Sequence, residues 1–156
     1  GFEVHAVTGK ETEVDTLNNM GASKIISRND YMSEPVKPLD KSIYCAAVDT
    51  VGGDMLSKII SMISNHGVVS CCGNVAGAKF TSSVFPFILR GVQLSGIDSA
   101  ESSIKLKSKL WNLLADQWSL DLSHQTKTVK IENIDQEIDK ILSGNQIGRV
   151  VIQHGE

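Results

Sequence analysis

The sequence predicts an α/β protein built on a doubly wound parallel sheet. Two short apolar runs, residues 43–48 and 67–72, each end at a turn that contains glycine, and residues 54–63 between them carry apolar side chains at helical spacing. A strand, a helix and a second strand in this order form a βαβ unit, and strands without polar alternation are typical of a parallel sheet covered on both faces. Ligands of such sheets bind beyond the carboxyl ends of the strands, which places a candidate site near Asp49–Gly53 and Gly73–Gly77.

The composition fits one domain with a core of ordinary size. Of 156 residues, 41% are hydrophobic and 21% are charged, and the formal net charge is -3. Nucleic-acid binders normally show a basic excess, so we expect no nucleic-acid partner. No apolar run approaches the roughly 20 residues of a membrane span, so we expect no membrane partner either. The three cysteines lie in apolar runs and the first residues lack the pattern of a signal peptide, which predicts buried, reduced thiols in a cytoplasmic protein.

The rest of the chain continues the alternation of strands and helices. The pattern predicts further strands at residues 1–8, 22–27, 92–97, 126–131 and 147–153. It predicts further helices at residues 11–19, 85–91, 102–116 and 134–142. Residues 31–42 contain two prolines and few apolar residues, which indicates a loop or a short irregular helix. A polar stretch at residues 121–127 precedes the last strand–helix–strand, so this last part could pack outside the doubly wound sheet.

The first predicted strand ends at Thr8-Gly9-Lys10, a combination that suits a phosphate. An acidic residue at such a strand end binds the ribose 2′-hydroxyl of NAD, whereas a basic residue accepts the 2′-phosphate of NADP. Arg28 follows the next predicted strand at the same edge of the sheet, and two cations with a hydroxyl and backbone N–H groups can hold a phosphate. The alternative is an ordinary polar turn with a surface lysine.

Other familiar site patterns are absent from the sequence. The segment Asp49–Gly53 fits a helix cap, which is the commoner explanation, or a glycine turn that lets the backbone approach a dinucleotide. No Gly-x-Gly-x-x-Gly run occurs, the four histidines show no metal-ligand spacing, and no Gly-x-Ser-x-Gly nucleophile turn is found. The residues therefore predict no metal site and identify no catalytic residue.

Five segments together resemble the medium-chain dehydrogenase/reductase superfamily, and in particular its branch of acrylyl-CoA reductases and quinone oxidoreductases. The segments are GFEVHAVTGKETEVDTLNNMGASKII, AAVDTVGG, CCGNVAG, PFILRGVQLSGIDS and GNQIGRVVIQ, in this order along essentially the whole sequence. The resemblance implies a Rossmann-type doubly wound sheet in residues 1–121 that lacks its first strand–helix unit, where the glycine-rich turn would lie. It implies that residues 122–156 return to a GroES-like catalytic domain, and that the sequence is a C-terminal fragment.

The resemblance also implies an activity. Members of the branch are zinc-independent, NADPH-dependent reductases that transfer a hydride to the activated C=C bond of a small-molecule enoyl thioester or quinone. The family's Ser-Gly-Arg phosphate motif stands here as Thr8-Gly9-Lys10, and Arg28 matches its second phosphate-binding arginine. Further cofactor contacts are implied for Asn74, Ile88 and Ser99, around the nicotinamide half, and for Asn145. The branch implies a homodimer, in which the strand at residues 92–97 would lie at a sheet edge, and an inactive isolated fragment.

Three alternatives stay open at this point. A quinone or general enone reductase of the same fold differs only in its substrate. A non-catalytic dinucleotide-binding or interaction domain would keep the sheet without the chemistry. A methyltransferase-like α/β domain also fits the bare pattern, but the basic end of the first strand disfavours it, since an acidic residue for ribose hydroxyls is expected there.

Overall fold

The computed structural model describes residues 1–155, which divide into two compact units, one up to Glu101 and one from Ser102 onward. The first unit contains β1 (His5–Thr8), α1 (Val14–Asn19), β2 (Lys24–Ser27), α2 (Arg28–Met32), β3 (Tyr44–Asp49), α3 (Gly53–Met62), β4 (Ile63–Cys71), α4 (Phe85–Arg90) and β5 (Gln93–Gly96). The second contains α5 (Ile104–Ala115), β6 (Thr126–Lys130), α6 (Ile134–Leu142) and β7 (Arg149–Gln153). Short 3-10 helices lie at Glu11–Glu13, Ser123–Gln125 and Ile131–Asn133. In the described part, no helix is long and apolar enough to cross a membrane.

The predicted α/β fold with parallel strands is confirmed, and most helix and strand boundaries shift by only a few residues. Two strands differ most, because β1 begins at His5 instead of Gly1 and β4 begins at Ile63 instead of near Gly67. Ile63 pairs with Tyr44, and the register then shifts before Ala46 pairs with Val68. His66 takes up the extra length in a left-handed conformation (φ 60°), which histidine tolerates better than most residues.

All four strand pairs in the described residues are parallel, and they form three separate sheets. In the first unit, β1 pairs with β2, and β4 lies between β3 and β5. Within residues 1–155, β1 and β3 each pair with one strand only, so each has an open edge. His5 Nδ1 and the Tyr44 hydroxyl are hydrogen-bonded at 3.4 Å, and the two rings meet edge to face. The amino ends of β1 and β3 are therefore near each other although their backbones do not pair.

The core of the first unit lies between α3 and β4. Three of its apolar side chains, Ile60, Ile63 and Val69, are fully buried, and Leu56 and Val92 complete the cluster. Burial of one such side chain contributes roughly 1.5–3 kcal/mol, so this cluster holds α3 on the sheet. The apolar face that the sequence predicted for residues 54–63 is therefore the face of α3 that packs against the sheet.

Strand β3 corrects one expectation drawn from its apolar sequence. We expected both of its faces to be covered, but Cys45 and Ala46 are exposed, and Val48 is 76% exposed. The reason is the strand order, because β3 lies at the edge of its three-stranded ladder. An apolar run indicates a buried strand only when neighbours cover it, and in this chain β3 has a neighbour on one side.

The cysteines were also expected to be buried, and this expectation is wrong for two of them. Cys45 and Cys72 are exposed, and Cys71 is half-buried; all three are free thiols. Cys45 lies on the edge strand β3, whereas Cys72 falls in the turn after β4 instead of inside the strand. The solvent exposure of the cysteines depends on the order of the strands in the sheet and on where each strand ends. An apolar run in the sequence reveals neither.

Arg90, in the segment PFILRG, fastens α4 to the amino end of β4. Its guanidinium donates hydrogen bonds to the carbonyl oxygens of Ser61 (3.0 Å), Ile63 (2.9 Å) and Asp40 (2.5 Å). The last carbonyls of a helix lack partners within the helix, and a guanidinium offers donors in a rigid fork that suits several of them. Arg90 therefore has a structural role at the end of the sheet opposite the candidate site.

Two turns at the carboxyl ends of β3 and β4, residues 49–53 and 73–77, interlock through their backbones. Cys72 N–H donates to Asp49 O (2.9 Å), Ala76 N–H donates to Val51 O (2.7 Å), and Gly52 forms a parallel bridge with Gly77. A Cβ on Gly73 would lie 1.9 Å from the carbonyl oxygen of Thr50. The two turns can approach this closely only because glycine stands at the contact.

The second unit is a strand–helix–strand arrangement in which β6 and β7 pair in parallel over their full length. Glu137 of α6 is buried and accepts hydrogen bonds from Lys127 (2.6 Å) and Lys140 (2.9 Å), and these bonds lower the pKa of its carboxyl group. No residue of α5 is buried. The exposed residues of α5 include large apolar side chains, namely those of Ile104, Leu106, Leu110, Trp111 and Leu114.

Because the two turns interlock, we expect two glycine-to-alanine substitutions to differ in their effect on the free energy of unfolding. Gly73→Ala places a methyl group against a backbone oxygen that no side-chain rotation can relieve, so we expect a loss of roughly 2–3 kcal/mol in the free energy of unfolding. Gly96→Ala at the end of β5 is the control, because nothing lies within 4 Å of its added Cβ. Its expected change is within about 0.5 kcal/mol. Urea unfolding of both variants measures the difference, and equal stabilities would contradict the interlock.

Candidate cofactor-binding site

Four predicted site residues meet at the carboxyl ends of β1 and β2. Thr8 pairs with Ser27 in the parallel ladder, so the residues that follow each strand emerge at the same edge. These residues are Gly9 and Lys10 after β1 and Arg28 after β2. Thr8 Oγ1 accepts a hydrogen bond from the Lys10 backbone N–H (3.0 Å), which folds the turn back on the strand end. We call Thr8, Gly9, Lys10 and Arg28 the basic corner.

Within the basic corner, the guanidinium of Arg28 lies directly against the backbone of Gly9. A Cβ built on Gly9 would meet Arg28 Cζ at 3.0 Å and its two terminal nitrogens at 3.1 and 3.3 Å. The space that a side chain would fill is thus occupied by the guanidinium. A Cβ at position 9 would force the Arg28 guanidinium to shift by a few tenths of an ångström, although Gly9 itself has an ordinary backbone conformation.

The charge of the basic corner is open to solvent. Arg28 is exposed and Lys10 is half-buried. The next residue, Glu11, accepts a hydrogen bond from Ser27 Oγ (3.1 Å) through its carboxylate. A guanidinium, an ammonium and a hydroxyl are the donor groups expected for a phosphate monoester, and Arg28, Lys10 and Thr8 carry them at this corner.

A second part of the site is a cleft of about 580 Å³ at the carboxyl ends of β4 and β5. Cys71 pairs with Gly96, so the turns after both strands meet there, and Ile97 N–H donates to Cys71 O (2.9 Å). The lining residues are Cys71, Cys72, Gly73, Asn74, Gly96, Ile97 and Asp98. Asn74 is exposed in this lining, so its backbone and its amide are both accessible from the cleft.

Asp49 is the one residue of this region whose role the sequence did not reveal. Its carboxylate is 6% exposed and accepts the Gly52 N–H through both oxygens, at 3.0 and 3.2 Å. The Cys71 thiol donates to the same carboxylate (Sγ–Oδ2 3.5 Å). Burial, and then this hydrogen bond to Asp49, raise the pKa of the Cys71 thiol, which keeps it a donor at neutral pH. Asp49 thus braces the turn before α3 and does not cap the helix itself, where Gly52 is the N-cap residue.

Three other predicted contacts are not brought into the cleft lining. Ile88 is exposed on α4, and Ser99 is exposed in the turn that follows Asp98. Asn145 belongs to the second unit, where its N–H donates to Lys140 O (2.8 Å) and its amide donates to Ser143 Oγ (3.1 Å). Cofactor contacts for these three residues remain predictions.

Three relatives match nearly the whole chain. One is named "Putative quinone oxidoreductase YhfP", from Bacillus subtilis; it is 34% identical over 155 residues, which are 98% of this chain and 47% of that protein. Another is the acrylyl-CoA reductase AcuI of Ruegeria pomeroyi, 33% identical over 153 residues, which are 97% of this chain and 46% of that protein. The chain therefore spans about half the length of the curated relatives it matches.

Solved structures give the same picture of the fold. The YhdH oxidoreductase of Salmonella enterica, in complex with NADP, aligns with a TM-score of 0.92 and 29% identity over 99% of this chain and 48% of its own. The B. subtilis YhfP structure with NAD bound also has a TM-score of 0.92, at 34% identity, over 99% of this chain and 47% of its own.

A family model described as zinc-binding dehydrogenase matches residues 1–116. The description names zinc, but the described residues contain no group of three or more His, Cys, Asp or Glu side chains that could hold a metal ion. The residues present here thus do not fit a zinc site, and no chemistry is assigned to zinc in this chain. From the family model, the relatives and the fold together, the chain belongs to the zinc-binding dehydrogenase family of the medium-chain dehydrogenase/reductase superfamily.

Proposed function

We propose that this chain is the cofactor-binding part of a zinc-independent, NADPH-dependent reductase. Its substrate class is an α,β-unsaturated carbonyl compound or thioester of the acryloyl-CoA kind, whose activated C=C bond is reduced. The observation that carries the proposal is the basic corner, where a hydroxyl and two cations meet at the ends of β1 and β2. The name of the R. pomeroyi relative, acrylyl-CoA reductase, supports the substrate class.

The basic corner would hold the 2′-phosphate of NADPH. Lys10 and Arg28 supply the positive charge, Thr8 supplies a hydroxyl, and Gly9 leaves the space in which the guanidinium lies. In NADH the same position carries a neutral ribose hydroxyl, which gains little from two cations. The geometry therefore favours NADPH over NADH, although lysine at position 10 offers a point charge and not the bidentate fork of an arginine.

The cleft at the ends of β4 and β5 would hold the nicotinamide half. When bound, the nicotinamide supplies a hydride, and the protein's task is to bind, orient and shield it. Asn74, Ile97 and Asp98 present polar and apolar groups at the cleft, and the interlocked turns hold them in place. We assign no catalytic residue within this chain.

We further propose that a strand from elsewhere in a longer protein inserts between β1 and β3. Both strands have an open edge within the described residues, and both belong to parallel ladders. The resemblance places the diphosphate-binding, glycine-rich turn on such a strand, and no such turn occurs in these 156 residues. The 156-residue chain alone would therefore bind NADPH weakly and lack activity.

Several finer points rest on the resemblance. A homodimer is proposed, and the edge position of β5 in its ladder supports it. Residues 122–156 are proposed to return to a GroES-like catalytic domain, and the protein is proposed to act in the cytoplasm. A quinone reductase of the same fold is the second candidate function, favoured by the name of the B. subtilis relative.

A substrate assay separates the two functions. NADPH oxidation by the longer protein is followed with acryloyl-CoA and with a benzoquinone in parallel, with NADH as the control cofactor. We expect saturable reduction of acryloyl-CoA and a preference for NADPH, because the basic corner recognises its extra phosphate. Turnover of the quinone alone would replace the first candidate by the second. Turnover by the isolated 156-residue chain would contradict the proposal that a further strand and turn are needed.

Gly9→Ala tests the basic corner without touching a charge. The added methyl group displaces the guanidinium of Arg28, and because the end of a flexible side chain moves easily, the fold should remain stable. We expect the dissociation constant for NADPH to rise roughly tenfold, as for a lost charge-assisted hydrogen bond. The dissociation constant for NADH should stay unchanged. Fluorescence titration of the longer protein with both cofactors measures the ratio.

Lys24→Gln is the matched control for charge. Lys24 is exposed at the amino end of β2, four residues before Arg28 and at the opposite end of the strand. The Lys24→Gln substitution removes one cation from β2, so any general effect of net charge on NADPH binding would appear in this variant. If Gly9→Ala weakens the binding of NADPH and NADH equally, the basic corner does not bind the 2′-phosphate. The same conclusion follows if Gly9→Ala and Lys24→Gln weaken NADPH binding equally.

A further inference from the structure

The buried Asp49 carboxylate joins the turn after β3 to the end of β4, and a backbone hydrogen bond at Cys71 joins β4 to the turn after β5. The Asp49 side chain accepts the N–H of Gly52, and its backbone carbonyl accepts the N–H of Cys72 (2.9 Å). Its carboxylate also accepts the Cys71 thiol (3.5 Å), and the Cys71 carbonyl accepts the N–H of Ile97 (2.9 Å). A continuous set of contacts therefore runs from the turn after β3 to the turn after β5.

This set of contacts lies immediately behind the cleft. Cys71 and Ile97 line the cleft, whereas Asp49 is 6% exposed and does not. A buried carboxylate is costly unless hydrogen bonds compensate it, and here one N–H and one thiol are the donors. A small change in these donors thus changes the position of residues that face the cleft, while the basic corner on β1 and β2 lies outside this set.

We propose that Asp49 is a positioning residue for the nicotinamide half of the cofactor, acting through Gly52 and Cys71. This inference rests on the proposed function, and it adds a role that the resemblance does not assign. Asp49 holds the turn after β3 against Cys71, which lines the cleft, so this part of the cleft is formed before the cofactor enters. Preorganisation of this kind favours binding, because groups that are already ordered lose less freedom when the ligand arrives.

Two ligands separate this role from a general structural one. NADPH occupies both parts of the site, whereas 2′-phospho-ADP-ribose carries the adenosine and diphosphate groups without nicotinamide. The variant Asp49→Asn keeps one oxygen for the Gly52 N–H but turns an amide N–H₂ toward the Cys71 thiol, where a thiol acceptor is weak. Calorimetric titration of the longer protein gives the dissociation constants of both ligands.

We expect Asp49→Asn to raise the dissociation constant of NADPH roughly five- to tenfold, in keeping with one lost hydrogen bond. The constant for 2′-phospho-ADP-ribose should change by less than about twofold on the same scale. Asp54→Asn is the matched control. Asp54 is exposed in the first turn of α3, so this substitution removes one negative charge near the same end of the helix. It should leave both constants at their wild-type values.

Each other outcome overturns the inference. Equal weakening of both ligands would mean that Asp49 supports the fold as a whole, and no change for NADPH would mean that the cleft is positioned without it. If Asp49→Asn does not fold, Cys71→Ala removes the thiol donor and leaves the Gly52 contact. It should weaken NADPH selectively by roughly two- to threefold, and the same two outcomes apply. Failure of the wild-type protein to bind 2′-phospho-ADP-ribose would overturn the proposed function, and this inference with it.

Discussion

The contact between Thr50 and Gly73 is the constraint on which the arrangement of the candidate site depends. A Cβ at residue 73 would lie 1.9 Å from the Thr50 carbonyl oxygen, so the turns after β3 and β4 meet backbone to backbone. Hydrogen bonds from Cys72 to Asp49 and from Ala76 to Val51 follow from that approach. Backbone contacts of this kind leave little freedom, since neither side has a rotamer that could yield.

The two parts of the site are built by different means. In the cleft, glycines and the buried Asp49 fix the backbone, and the lining follows from it. In the basic corner, the proposed phosphate recognition would rely on the side chains of Lys10, which is half-buried, and Arg28, which is exposed. Screening by water and salt makes such exposed charges worth little until a phosphate approaches. The first part contributes shape and the second contributes charge selectivity.

Local sequence patterns predicted the elements well, because helices and strands are set by neighbours along the chain. Helix α6 was predicted at Ile134–Leu142 and lies there, and the apolar spacing of α3 identified the face that packs. The exposure of Cys45 and Val48 was not predicted, because it depends on β3 lying at the edge of its ladder. The link between Asp49 and Cys71 was invisible for a similar reason, since the two residues are 22 positions apart and meet only through strand pairing.

The same distinction explains which site residues were within reach of sequence reasoning. Thr8, Gly9 and Lys10 are consecutive, and Arg28 follows the next strand, so a parallel pair of strands was enough to predict that they meet. The resemblance named Asn74, but the register of β4 and β5 was needed to place it in a cleft with Gly96 and Asp98. Gly9 is the instructive case, because the resemblance gave it only as part of a motif. The structure adds the physical reason, which is that the Arg28 guanidinium fills the volume a side chain would take. Under the proposed function, Gly9 would influence phosphate selectivity through the position of the Arg28 guanidinium.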